Sequence, residues 1–139
     1  MKKCQCLRCK KGDKHASDEE ERMLKEYGWY AHQIVDSEDH PFGIDFHTHG
    51  FGYLFHPDIQ ICLPVNPKMV HAIFIDLYNQ IKSGRKFEYN QKYDEVTMHS
   101  QVTFIQVNDD LIRLILPDED YNLDFDKMKC PYKHQYDIK

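Results

Sequence analysis

Apolar positions recur at helical spacing in two stretches of the chain. The stronger pattern follows Asn66-Pro67, a helix-capping residue and a proline suited to the first helical turn, and it predicts a long helix over about 67–83. The weaker pattern follows Ser17, whose hydroxyl suits a capping box, and it predicts a short N-terminal helix over about 18–27. The two helices differ in strength, and only the longer one has a broad apolar face.

Shorter segments show the alternation or the clustering of apolar residues that is typical of β-strands. They cover residues 29–36, 44–49, 58–64, 86–93, 101–107 and 111–117. The last two are separated by "NDD" (108–110), which favours a tight hairpin turn. The predicted order is therefore one helix, three strands, the long helix and three further strands.

This order predicts an α+β fold, because the strands occur in groups and little helix is available to cover them. We expect a mostly antiparallel sheet covered by the long helix (about 67–83) and the short N-terminal helix (about 18–27). Residues 1–16 are interpreted as a leader rich in cysteine and lysine. Residues 17–139 are expected to form a single α+β domain whose C-terminal tail, from about residue 118, is extended.

Composition and charge narrow the partners and the location. The 139 residues include 18 basic and 23 acidic side chains, and the net charge of −5 disfavours non-specific binding to nucleic acid. The chain has neither an apolar stretch of roughly 18 residues nor a secretory signal, so we expect a cytoplasmic protein without a membrane partner. Five cysteines in such a chain argue against a disulfide framework.

Three histidines lie close together in "DFHTHGFGYLFHPD" (45–58). Alternation along the predicted strand places Asp45, His47 and His49 on one face, and the glycines that follow would let His56 fold back toward them. One hypothesis is a metal site of three imidazoles, a set that zinc accepts with a fourth position left for water. The other hypothesis is a polar, half-exposed strand face, with His56 hydrogen-bonded at the entrance of the next strand.

A metal at these histidines would suggest hydrolysis, with Asp45 or Asp58 as the nearest candidate general base. The His-x-His strand resembles the first metal-ligand strand of amidohydrolases and related phosphoesterases. Those enzymes are barrels, however, and a barrel of this type takes about 250 residues. A chain of 139 residues without repeated strand–helix alternation is too short for one.

Cysteines near the N-terminus form a second candidate metal site. Cys6 and Cys9 have the two-residue separation that is common among zinc ligands, and Cys4 lies just before them. Cys130 could supply a further ligand if the tail returns to the leader. Structural zinc, free thiols that never meet, and a redox role are all compatible with this pattern. Cys62, inside an apolar strand, is expected to be a core thiol.

Two further features suggest ligand binding. Arg113 interrupts an apolar strand, so it requires a buried carboxylate partner, a solvent-facing position or a bound anion. Tyr53 belongs to an aromatic segment that could contact a small molecule or a protein, with Asp45 and Asp58 as polar contacts. His32, which alternates with aromatic residues in the first predicted strand, is interpreted as a packed core histidine.

Several short motifs, taken in order, resemble the DUF4262 family of uncharacterised bacterial proteins. They are Gly28-Trp29, Thr48-His49-Gly50-Phe51, His56-Pro57-Asp58 and Gly84-Arg85-Lys86-Phe87, with Cys6 and Cys9 matching an N-terminal cysteine motif. The resemblance covers roughly residues 4–130. The family name implies no activity, so the resemblance assigns neither a reaction nor catalytic residues.

We therefore expect a bacterial, non-enzymatic module that binds an unknown protein or small-molecule partner, with structural zinc at the N-terminal cysteines. The first alternative is a metal-dependent hydrolase that uses His47, His49 and His56. The second alternative is an immunity-type inhibitor of a bacterial toxin, which the small size and the acidic composition would suit.

Overall fold

The helices and strands follow the predicted order along the chain. In a computed structural model, which describes residues 14–34, 41–97 and 100–137, the α-helices are α1 (Lys14–Tyr27) and α2 (Pro67–Lys82). The strands are β1 (Tyr30–Ile34), β2 (Asp45–His49), β3 (Asp58–Ile61), β4 (Lys92–Tyr93), β5 (Val102–Asn108) and β6 (Leu111–Ile115). Short 3₁₀ helices cover Pro41–Gly43, Phe51–Leu54 and Tyr132–Tyr136. The predicted α+β class is confirmed.

The strands form one sheet in the order β1-β2-β3-β6-β5-β4. The central pair, β3 and β6, runs parallel, and every other neighbouring pair runs antiparallel. The prediction of a mostly antiparallel sheet is therefore confirmed. The hairpin between β5 and β6 is also present, and in its turn the Asn108 side chain accepts a hydrogen bond from the Asp110 N–H at 2.8 Å.

Helix α2 covers one face of this sheet. It begins where the sequence indicates, since Pro67 is its first residue and the Asn66 side chain accepts a hydrogen bond from the Lys68 N–H at 2.8 Å. Its buried side presents Val70, Ile73, Phe74, Leu77, Tyr78 and Ile81. These pack in the main core with Trp29, Phe46, Ile59, Ile61, Phe104, Ile112 and Leu114. The main core thus lies between α2 and one sheet face.

Helix α1 starts earlier than predicted, at Lys14 rather than at about residue 18. It ends at Tyr27, and the following Gly28 has a φ of 84° while its N–H donates to the Leu24 carbonyl at 3.0 Å. A Cβ at this glycine would lie only 2.2 Å from the Tyr78 hydroxyl oxygen. Gly28 therefore ends the helix and also makes room for α2.

The C-terminal tail packs on the opposite face of the sheet. Ile115 alternates with Leu114, which belongs to the main core, and it forms a second small core with Leu123 and Met128. Gln135 is fully buried, and its amide is satisfied there, since its Oε1 accepts from the Leu116 N–H (2.9 Å) and its Nε2 donates to the Leu116 carbonyl (2.8 Å). The tail was expected to be extended, and it includes one 3₁₀ helix that anchors it to β6.

The predicted strand over 86–93 is reduced to β4, the two residues Lys92–Tyr93. Phe87, within the predicted strand, is buried, and its N–H donates to His56 Nε2 at 3.0 Å. This backbone group is therefore satisfied by a side chain instead of by a neighbouring strand.

Candidate metal centre

Three histidine side chains share the sheet face opposite α2, at the end formed by β1 and β2. In the antiparallel register of these strands, His32 lies opposite His47, and Tyr30 lies opposite His49. Residues two positions apart on a strand, and residues directly opposite on its partner, point to the same face. Phe46, between the positions of β2 that carry this group, points the other way into the main core.

Ring nitrogens of the three histidines lie close enough to meet one ion. One potential ligand atom from each of His32, His47 and His49 lies within 4.8 Å of the others. Their ring centroids are 4.6 to 5.4 Å apart. Zinc–nitrogen bonds of about 2.1 Å place tetrahedral ligand nitrogens about 3.4 Å apart, so small side-chain rotations would close the site. Within the described part of the chain, this is the one place where three or more side chains able to bind a metal come so close together.

His49 is suited to bind a metal. The pKa of His49 is lowered from 6.5 to about 3. Burial is the largest cause, and the neighbouring imidazoles of His47 and His32 add to it. The imidazole is therefore neutral at pH 7, which is the form that coordinates a metal. Its Nε2 is buried and has no hydrogen-bond partner. A buried polar atom left in this way is uncommon, and a bound cation would satisfy it.

A buried carboxylate holds His47. Asp45 Oδ2 lies 3.1 Å from His47 Nδ1, and the two residues are only 4% and 5% exposed. Asp45 Oδ1 accepts a hydrogen bond from Gln60 Nε2 at 2.9 Å. A carboxylate beside Nδ1 favours the proton on that nitrogen and leaves Nε2 for a metal. The expectation of a half-exposed strand face is therefore corrected at these two residues, because both are buried.

The same hydrogen bonds continue to Arg113, which is 2% exposed. Its Nε donates to Gln60 Oε1 at 2.9 Å, and its Nη1 donates to the carbonyls of Gln135 (2.8 Å) and Asp137 (2.6 Å). In these described hydrogen bonds, Arg113 donates to a side-chain amide and to backbone carbonyls. The nearest carboxylate in this hydrogen-bond network is that of Asp45, which reaches Arg113 only through Gln60. A buried polar row thus connects the histidine group to the C-terminal tail.

His56, the third histidine of the sequence hypothesis, lies apart from this group. Its Nε2 accepts from the Phe87 N–H at 3.0 Å, which leaves Nδ1 to donate to the Pro57 carbonyl at 2.7 Å. Burial is the largest cause that lowers the pKa of His56. Both ring nitrogens are engaged by the backbone, in the manner expected of a histidine at the entrance of β3. The structure brings His32 to the group instead.

Asp58, which the sequence offered as a candidate general base, closes the connection between β2 and β3. Its Oδ1 accepts from the Thr48 hydroxyl at 2.9 Å and from the Phe51 N–H at 3.1 Å. Burial raises the pKa of Asp58 from 3.8 to about 6, against the hydrogen bonds, which lower it. Its described contacts are therefore those of a residue that fixes the backbone.

The predicted cysteine ligands fall into two groups. Cys4, Cys6 and Cys9 lie outside the described residues, so structural zinc at the N-terminus stays a prediction. Cys130 is exposed, and its Sγ lies 3.6 Å from His134 Nε2. Cys62 is buried, and burial raises its pKa to about 12, in keeping with a core thiol.

The aromatic segment around Tyr53 is open to solvent. Tyr53 is 75% exposed and Phe55 is 91% exposed. A groove of about 550 Å³ lies beside Phe55, and its lining includes His56, Lys86, Glu88 and Tyr89. The groove lining contains none of the three clustered histidines, so this surface and the candidate metal centre are separate features.

His32 is the residue of this centre that the sequence did not identify. Its alternation with Tyr30 was visible, and consecutive strands commonly pair with each other. Its position opposite His47 depends on the register of β1 and β2, however, and a slip by one residue would turn His32 to the other face. The hydrophobic pattern alone does not determine that register.

The fold and the site together define a small α+β domain with a three-histidine group on one sheet face. A family model described as a domain of unknown function (DUF4262) matches residues 23–118, more than half of the chain, so the chain belongs to the DUF4262 family. The matched segment contains β1 to β6, α2 and the three histidines. No curated protein and no solved structure matches the chain. Within the described part of the chain, no helix combines the length and the apolar character needed to cross a membrane.

Proposed function

We propose that this domain binds a divalent transition-metal ion, with zinc as the first candidate, through His32, His47 and His49. One observation carries the proposal: three imidazoles present ligand atoms within 4.8 Å of one another, and the Nε2 of His49 is buried without a hydrogen-bond partner. Neutral imidazoles are common zinc ligands, and three of them leave a fourth position for water or for a ligand from a partner.

The surroundings of the histidines support the proposal. Metal-binding histidines commonly pair their second ring nitrogen with a carboxylate, which orients the ring and fixes its tautomer. Asp45 occupies this position beside His47, and Gln60 holds Asp45 from the other side. A histidine that serves only to pack the core does not need its ring orientation fixed in this way, whereas a metal ligand does.

The competing interpretation is a packed group of aromatic rings that needs no ion. Tyr30 stacks on His49 with a centroid separation of 4.9 Å, and the histidine rings meet one another edge to face. Ring contacts of this kind contribute about 0.5–1.5 kcal/mol each. The two interpretations differ in metal content, which can be measured directly.

The deciding experiment is elemental analysis of protein purified without a histidine tag, followed by calorimetric titration of the metal-free protein with Zn²⁺. We expect about one ion per chain, and we expect the His47→Ala and His49→Ala variants to lose it. His71→Ala is the matched control, since His71 is an exposed histidine that stacks on Trp29 outside the group. A Cys6→Ser/Cys9→Ser variant tests the cysteine hypothesis in the same assay.

Three outcomes would contradict the proposal. The first is full metal content in both histidine variants. The second is metal that disappears only when the cysteines are replaced, which would move the site to the N-terminus. The third is a protein without measurable Zn²⁺ affinity, which would favour the packed-ring interpretation.

Hydrolysis is a second candidate function, because three protein ligands and an open position are the arrangement of catalytic zinc sites. A panel of phosphoesters and carboxylic esters, assayed with the Zn²⁺- or Mn²⁺-loaded protein, tests it. Turnover that the His49→Ala variant abolishes would support an enzyme. Turnover that persists in this variant, or none above the buffer rate, would leave metal binding without catalysis.

A further inference from the structure

A second cluster of reactive side chains lies on the C-terminal tail, outside the candidate metal centre and beyond the segment that the family model matches. Cys130 Sγ lies 3.6 Å from His134 Nε2, within the range of a hydrogen bond to sulfur. The other ring nitrogen, Nδ1, lies 3.1 Å from Asp137 Oδ2. A thiol, an imidazole and a carboxylate are thus connected in series.

The fold holds this cluster in place from below. Gln135, between His134 and Asp137 in the chain, is fully buried, and its side chain bonds to both backbone groups of Leu116. Arg113 donates to the carbonyl of Asp137 at 2.6 Å. The backbone of this segment is therefore fixed to β6 while Cys130 stays exposed to solvent.

We propose that Cys130, His134 and Asp137 form a nucleophilic thiol site that reacts with small soft electrophiles, of which peroxides are the natural class. A nucleophile beside a base that a third group orients is the arrangement by which proteins activate side-chain nucleophiles. His134 takes the thiol proton through Nε2, and Asp137 holds the ring with Nδ1 protonated. Phe42, whose ring centroid lies 5.7 Å from that of His134, packs against the imidazole edge to face.

With hydrogen peroxide the step is a two-electron oxidation of sulfur. The sulfur of Cys130 attacks one peroxide oxygen and forms an S–O bond, and the O–O bond breaks. The thiol proton passes through His134 to the departing oxygen, which leaves as water. The products are a cysteine sulfenic acid and one water molecule, so peroxide is the oxidant and is itself reduced.

Cys62 provides an internal reference. It is buried, and burial raises its pKa to about 12, so its thiol should stay unreactive while the domain is folded. Modification of Cys62 therefore reports unfolding, and modification of Cys130 reports the proposed site.

The test measures the rate of each cysteine separately, by mass spectrometry of peptides after timed exposure of the full chain to iodoacetamide, and in parallel to hydrogen peroxide with a sulfenic-acid trap. EDTA is present throughout. At pH 7 we expect Cys130 in the folded chain to react at least about tenfold faster than in the urea-unfolded chain. We expect His134→Gln to bring the folded rate down to the unfolded one, and Asp137→Asn to give a rate between the two.

Asp126→Asn is the matched control, since Asp126 is an exposed carboxylate of the same tail and its removal changes the charge equally. It should leave the Cys130 rate unchanged. The proposal is overturned if folded Cys130 reacts no faster than the unfolded thiol, or if His134→Gln keeps the wild-type rate while Cys62 stays protected. Should His134→Gln expose Cys62, the comparison of folded and unfolded wild-type chains decides alone.

Discussion

His49 and His56 are two histidines that the fold withdraws from water, and burial is the main cause that lowers the pKa of each. Their nitrogens are nevertheless treated differently. His56 exchanges hydrogen bonds with the backbone at both nitrogens, through Phe87 and Pro57. His49 has a buried Nε2 without a partner, and two further imidazoles lie beside it. Burial and perturbed pKa values therefore do not distinguish a structural histidine from a candidate ligand.

The difference lies in whether the surrounding atoms complete the ring's hydrogen bonds. Where they do, as at His56, the histidine links distant backbone segments and contributes to stability. Where they do not, as at His49, a buried polar atom lacks a partner, which costs stability that a bound ion would offset. This contrast can be tested both in the metal-free protein and in its metal-bound form.

The largest effect is expected for His56→Ala. This change leaves the Phe87 N–H without its partner and opens a cavity, so the free energy of unfolding should fall by about 3 kcal/mol. The His49→Ala change breaks no hydrogen bond at Nε2 but removes the ring contacts with Tyr30, His32 and His47, so it should cost less, about 1.5 kcal/mol. Urea denaturation in EDTA measures both, and equal losses would remove the distinction between the two sites.

Replacing Asp45 should weaken metal binding by about 10- to 100-fold. In an Asp45→Asn variant, the amide oxygen can still accept from Gln60, but the amide nitrogen would face His47 Nδ1. The proton of His47 would then move to Nε2, the atom required for the metal. Calorimetric titration measures the affinity, with the exposed Asp109→Asn as the control. An unchanged affinity would show that Asp45 does not orient His47.

Acid should destabilise the metal-free domain. The pKa of His49 is about 3 in the folded chain, against the ordinary value of 6.5 that applies in the unfolded chain. Between these two pH values the unfolded chain therefore binds more protons than the folded chain. The contribution of His49 to the free energy of unfolding is fully present above pH 6.5. It decreases as the pH falls toward 3, by at most about 1.4 kcal/mol per pH unit. His56 acts in the same direction. In a His49→Gln variant the denaturation midpoint should change less with pH across this range. A pH dependence equal to that of the wild type would contradict the lowered pKa of His49.

The smallest effect concerns Asp58, whose pH dependence has the opposite sign to that of His49 and His56. Its pKa is raised from 3.8 to about 6, so its contribution to stability is present at low pH and is lost as the pH rises through this range. An Asp58→Asn variant keeps the oxygen that accepts from Thr48 and Phe51 but removes the titration. The acid-induced loss of stability should then become steeper, by less than about 1 kcal/mol per pH unit. A slope that becomes shallower would contradict the assigned direction.

Much of the fold could be predicted because its signals are local. The start of α2 depends on Asn66-Pro67, and the β5–β6 hairpin depends on the turn at Asn108, both of which act within a few residues. The parallel contact between β3 and β6 was not predicted, since it joins segments that no local pattern connects. The small core under the tail was missed for a different reason, because Leu123 and Met128 each stand singly among polar residues and follow neither a helical nor a strand period.

The candidate site was predictable only in part. Alternation along one strand placed His47 and His49 on the same face, and this required no knowledge of other strands. The third member was assigned to His56 because it is near in sequence, whereas His32 reaches the group through strand pairing. Arg113 was recognised as unusual, but its amide and carbonyl partners depend on the path of the tail.

The parallel contact at the centre of the sheet also bears on the route by which the domain folds. The hairpins β1–β2 and β5–β6 join near neighbours and can form early, but Gln60 meets Arg113 across 53 positions of the chain. Closing so long a loop is entropically costly and delays the contacts that reward it. We expect pulse-labelling hydrogen exchange to find the two hairpins protected first and the amides of β3 last, so that the halves of the sheet assemble separately before they join.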